Sequence, residues 1–309
     1  MRRSMLRIAF MLMAASMTFA QTLEVERVDR IAAPTGESIH HPFFSPTGEL
    51  FFTSSNYRGV WRLDPQSKVV AQIAEERGAG YEPAFSEDGS RILHRADEFM
   101  EGRKYSSILS RGIADGDAVV AVKSARDVKS PKSLGEGEAA AIVAGTLTAF
   151  SVKSGEPRGV RANHNPVAVI ENQALAIYRD GAKRALQPLG EGNYIWPSVS
   201  PQGDKLLFVK AGVGAFVADL DGAILAELGY LNAPVWSPDG EWIVGMNDRD
   251  DGYQVVSSEV VAVSADGKTR VNLTNTPDVH EMYPAWSPDG TTVVANDPRG
   301  ELTMITLVR

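Results

Sequence analysis

Hydrophobic and polar residues in this chain alternate in short bursts, with no sustained recurrence at helical spacing. ELFFTS (49–54), KLLFVKA (205–211), EWIVGMND (241–248) and TTVVAND (291–297) are compact runs of aliphatic, aromatic and β-branched residues. Bounded as they are by turn formers, they predict β-strands. A heptapeptide precedes them: PFFSPTG at Pro42, PSVSPQG at Pro197, PVWSPDG at Pro234 and PAWSPDG at Pro284, with a further copy, PAFSEDG, at Pro83. Its chemistry explains its form. The apolar pair ends a strand, the second proline presets φ near −65° in a turn, and the glycine supplies the positive φ that closes a hairpin. After each run comes a further strand such as GVWRLD (59–64), GAFVADL (214–220) or SEVVAVS (258–264). A turn such as DLDGA or SADGK then leads to a polar last strand such as KVVAQIAE (68–75) or TRVNLTNT (269–276). Four antiparallel strands in roughly 40 residues are the unit of a β-propeller blade.

The interval from Pro83 to Pro197 lacks the heptapeptide but has room for the rest of one blade and two more. EAAAIVAG, TLTAFSVKSG and EPRGVRA repeat the strand order there, and PVAVIEN, QALAIYRDG and AKRALQPL repeat it again. The count is therefore seven blades, with the fourth, near residues 163–190, short by one strand; six blades with an irregular insertion is the alternative. The last blade offers only PAWS, TTVVAND and ELTMITLV before Arg309, while LEVERVDRIA near the start has no motif ahead of it. Residues 23–32 are expected to supply the missing outer strand. That pairing closes the ring and protects its edges.

Residues 1–20 stand outside this pattern. Arg2, Arg3 and Arg7 precede or flank the apolar run LRIAFMLMAAS, and small residues near Ala20 suit a signal peptidase. This predicts a Sec-type secretory signal cleaved after Ala20, a single propeller domain over residues 21–309, and a periplasmic or secreted protein. No other segment is long and apolar enough to span a bilayer. The absence of cysteine excludes a lipoprotein anchor, disulfides, thiolate metal sites and a cysteine nucleophile. Loss of the three leader arginines leaves 28 Lys+Arg against 39 Asp+Glu, a formal charge of −11. Such a surface repels nucleic-acid backbones and anionic lipids, so neither is an expected partner.

The PxWSPDG repeats, and above all the run DGYQVVSSEVVAVSADGKTRVNLTNTPDVHEMYPAWSPDG (251–290), resemble the WD-like repeats of the TolB propeller family. The likeness covers most of the mature chain, is strongest in the last two blades and is faint between residues 95 and 190. It implies a periplasmic protein-interaction module. TolB-like proteins carry an α/β domain ahead of a six-bladed ring, for which this sequence has neither room nor pattern, so the Tol partners do not follow.

No G-x-S-x-G nucleophile elbow occurs, ADGKT (265–269) reads as a hairpin turn, and His280-Glu281 is cut off from a zinc-helix pattern by Pro284. NDRDDG (247–252) reads as a solvated blade loop before a calcium loop, and DEFMEGRKYSS (97–107), with Lys104 and Tyr105, as a long loop. The strongest candidates are positional. His40, Tyr81 and His164 each lie two residues before the first proline of a blade, and Tyr194, Asn232, His280 and Glu281 lie within two to four. That segment enters the innermost strand, so these seven should gather at one mouth of the central channel and bind a ligand or partner. The expected function is a non-enzymatic scaffold for an envelope protein or small envelope ligand, with no catalytic residue, metal or cofactor assigned. The alternative is a metal-dependent carbohydrate lyase or hydrolase using the histidines near the axis, as in propeller lyases of the oligogalacturonate type, which the chain resembles in that respect alone.

Overall fold

The computed structural model describes residues 22–32, 38–161 and 164–308; the predicted signal and its cleavage site lie outside them. All regular structure among these residues is β-strand, in seven antiparallel sheets. Blades 1 to 6 span 40–74, 84–125, 132–158, 167–186, 194–229 and 232–272. Blade 7 joins Met282–Trp286, Thr292–Asn296 and Leu302–Val308 to Glu24–Ile31. Six sheets have four strands and blade 4 has three, as the sequence implied. Ring closure also follows the expected route: Glu24 pairs with Val308 and Ile31 with Leu302, so the first strand of the chain is the outer strand of the last blade.

The core is divided among the blade interfaces. Because successive side chains leave a strand on opposite faces, each blade feeds two neighbours. Leu206 and Phe208 pack toward blade 4, whereas Leu207 and Val209 pack toward blade 6. Seven apolar clusters fill the seven interfaces, including the one that seals blade 7 to blade 1 through Ile31, Ile39, Leu50, Phe52, Val294 and Leu302.

The heptapeptide is a folding device at the turn side of the ring. In PVWSPDG, Ser237 Oγ donates to Asp239 Oδ1 at 2.5 Å and accepts from the Trp242 amide at 2.9 Å, while Gly240 N reaches Ser237 O at 2.9 Å. Ser287, Asp289, Gly290 and Thr292 repeat this, as do Ser86, Asp88, Gly89 and Arg91. The serine hydroxyl beside Asp88 is the first cause that holds its carboxyl down to about 2. These aspartates are spent on turn geometry.

Two expected loops are instead tall hairpins. Residues 97–107 belong to the pair Arg91–Met100 and Arg103–Gly112, in register up to Met100 opposite Arg103. Residues 247–250 extend Trp242–Asp250 against Val255–Ser264. At its tip the Asp250 and Asp251 carboxylates accept from the amides of Gly252, Tyr253 and Gln254. Continuous β pairing consumed backbone groups that the polar composition had assigned to loops.

Candidate functional site at the channel mouth

The residue immediately before the first proline behaves alike in all five heptapeptide copies. His41, Glu82, Trp196, Ala233 and Tyr283 have φ of 45°, 47°, 50°, 45° and 53°. A left-handed, non-glycine residue ahead of proline is strained, at a cost of roughly 1–3 kcal/mol. In blades 1, 5, 6 and 7 the ladder skips at this point, between His40 and Phe43, Ile195 and Ser198, Asn232 and Val235, and Met282 and Ala285. Such a bulge re-aims a side chain at the rim of a sheet. Placed at the inner end of each blade, it sets these side chains around the mouth of the channel.

Four of the rings form an arc. His41 lies 3.9 Å from the Tyr283 ring and 4.5 Å from Tyr57, and Tyr57 meets Tyr81 edge-on at 5.1 Å. Arg95 closes the arc on the blade 2 side, its guanidinium 4.7 Å above Tyr81. Burial, followed by the neighbouring His40, lowers the His41 pKa to about 4 and keeps its imidazole neutral. Burial first, then Tyr283, Tyr81 and Glu82, pushes Tyr57 up to about 12. Deeper in, Glu82 pairs with Lys132 at 3.2 Å, and Lys132 heads the causes that hold the Glu82 carboxyl below its usual range. Both members keep water contact. Below the mouth, a cavity of about 380 Å³ runs past Phe43, Phe85 and Trp286, and one of about 310 Å³ past Asn165, Pro197 and Ser198. A larger cavity, about 690 Å³, opens on the turn side between blades 2 and 3, where Arg91 is tied to Ser110 and to the Asp117 carbonyl.

The seven sequence-predicted residues have different surroundings. Tyr81 is 38% exposed and belongs to the arc. His40 precedes His41 and is lowered by burial, against the pull of Asp297. Asn232 donates to Asp248 Oδ1 at 2.9 Å and to Tyr230 Oη at 3.0 Å. Tyr194 is buried; its hydroxyl donates to the Gly190 carbonyl and accepts from the Leu189 amide, anchoring the loop before blade 5. His164 is buried with Nε2 2.9 Å from Glu138, which also holds Arg161. His280 bridges to Ser258, and the buried Glu281 accepts from Thr276 Oγ1 at 2.7 and 2.9 Å. Among the described residues no three histidine, aspartate or glutamate side chains come close enough to hold a metal ion, so His40, His164 and His280 do not form a ligand set. The sequence analysis did not single out His41, Tyr57, Arg95 or Tyr283. Aligning the repeats on their first proline places His41, Glu82, Trp196 and Tyr283 in one column, and that column was the available signal.

No protein-family model matches the chain, and no curated protein matches its sequence. Solved structures do match in fold. A chain of the mitotic checkpoint complex aligns over 100% of both chains at 13% identity and a TM-score of 0.63. A manganese-bound oligogalacturonate lyase aligns over 93% of this chain and 98% of its own at 14% identity and a TM-score of 0.59. TolB from Acinetobacter baumannii aligns over 81% of this chain at 19% identity and a TM-score of 0.51, and the present chain spans 57% of it. These likenesses are of fold alone: the seven sheets form a β-propeller of TolB-like fold.

Proposed function

We propose that this propeller is an exported, periplasmic and non-enzymatic scaffold that binds an envelope protein at the channel mouth. The observation that carries the reading is the arc from Tyr283 through His41 and Tyr57 to Tyr81: aromatic area with polar edges, raised on strained backbone, at the open end of a channel. Aromatic anchors among a few polar groups are what binding sites enrich. The two tall hairpins of blades 2 and 6 rise on the same side and flank the arc, with Phe99 (57% exposed), Met100 and Tyr253 (98%) bare at their tips. The leader pattern of residues 1–20 supports export, and no helix among the described residues is long and apolar enough to cross a membrane.

The test places a photo-reactive phenylalanine analogue at Tyr81 and, as a control on the turn side, at Lys268, whose side chain is 81% exposed. Cross-linking in the periplasm should yield a discrete adduct from Tyr81 and none from Lys268. Equal yields from both positions, or fractionation of the protein outside the periplasm, would sink the proposal. Glu281 and Tyr194 are unsuitable probes because they are buried and locally bonded.

A further inference from the structure

The two ends of the aromatic arc differ in one respect. At the blade 2 end a cation is already in place: Arg95 lies over Tyr81, its Nη2 is 3.3 Å from Asp97 Oδ2, and its side chain is only 12% exposed. Ring, guanidinium and carboxylate are in contact, and Asp97 is held as well by Lys104 and Ser106. At the blade 6 end, beside Tyr283, stand another carboxylate and one further ring. Asp248 turns inward, 9% exposed, while its neighbours Asn247 and Arg249 on the same strand face water. The Asn232 amide holds Asp248 Oδ1 at 2.9 Å and donates also to Tyr230 Oη. The charge of Asp248 reaches both the Tyr230 and Tyr283 hydroxyls and helps to raise their pKa values, after burial. All of these neighbours are neutral, and among the described residues no Lys, Arg or His pairs with Asp248. An inward carboxylate held by neutral donors leaves its charge for an incoming cation to pair.

We infer that the notch formed by Tyr230, Asn232, Asp248 and Tyr283 is a guanidinium site that receives an arginine side chain of the binding partner. The inference rests on the proposed role of the mouth and adds the partner's chemistry. A planar guanidinium can stack on a tyrosine face while two of its N–H groups meet one carboxylate, and an ammonium cannot do both. Asp248 retains acceptor capacity, since the Asn232 amide and the Tyr230 hydroxyl occupy only part of it. Tyr230, 49% exposed, stands at the opening, and Tyr283 joins the notch to the rest of the arc through His41.

The experiment uses the mature chain with ¹³C-labelled tyrosines, titrated with N-acetyl-arginine methylamide and with the uncharged N-acetyl-citrulline methylamide. The Tyr230 and Tyr283 resonances should move at about tenfold lower concentrations of the arginine probe, while Tyr81, whose cation is in place, stays unmoved. Asp248→Asn should abolish that preference, and Tyr230→Ala, at an exposed position, should weaken the response even if Asp248→Asn folds poorly. Equal response to citrulline, or full response in both variants, would overturn the inference. A positive titration together with a negative Tyr81 cross-link would keep the guanidinium site and remove the mouth reading; the converse would do the opposite.

Discussion

Ring closure makes a quantitative prediction. Leu23 and Ile31 are 3% and 9% exposed and lie at opposite ends of the first strand, Leu23 in the cluster between blades 6 and 7 and Ile31 in the cluster between blades 7 and 1. Truncating each to alanine removes buried methyl groups and leaves a cavity, at about 2–5 kcal/mol per site. The sites share no partner and are separated by roughly 25 Å of extended chain, so the losses should add to about 4–10 kcal/mol. For a domain of this length that is a fall in melting temperature of roughly 10 °C or more. Val28, on the same strand but 41% exposed, is the control, and Val28→Ala should stay within about 0.5 kcal/mol of the parent. Scanning calorimetry of the parent, the double variant and the control reads all three. A double variant that melts within about 3 °C of the parent, or a Val28→Ala loss as large as that of the double variant, would refute the claim that this strand seals the ring.

Three further outcomes are expected. His41 titrates near 4 in the fold against 6.5 for an unperturbed histidine, so between those values the unfolded chain takes up a proton that the fold refuses. Its contribution to stability is therefore complete above about pH 6.5 and drains away toward pH 4; melting at pH 7.5 and pH 5 should show a steeper fall for the parent than for His41→Gln, and identical slopes would contradict it. Gly80 lies against Thr53, and an added Cβ would sit 1.9 Å from Oγ1 of that buried side chain, so Gly80→Ala should cost about 2 kcal/mol or more in denaturant melts. Glu138 is buried beside the buried His164 and paired with the half-exposed Arg161, and Glu138→Ala should destabilise by about 3 kcal/mol, whereas an unchanged denaturation midpoint would show that the cluster carries no load.

The alternation of ELFFTS or KLLFVKA, with each strand's two faces feeding two blade interfaces, and the Ser-Pro-Asp-Gly turns sufficed to specify seven blades, the short fourth blade and the strand that closes the ring. These features are local: side-chain alternation and turn chemistry are written within a few residues, and the repeat multiplies them. The site was only partly legible. Distance from proline selected Tyr81 and Asn232, and equally Tyr194 and Glu281, whose hydroxyl and carboxylate are bound within their own loops. His41 and Tyr283 escaped because their conformation is a tertiary outcome. Proline alone disfavours the left-handed state before it, and only the packing of inner strands around the axis holds five copies there. Likewise nothing within EWIVGMND marks Asp248 as a carboxylate without a cation. That property arises where the connector through Tyr230 and Asn232 meets blade 7 at Tyr283, because the pairing of charges depends on which distant segments share a surface.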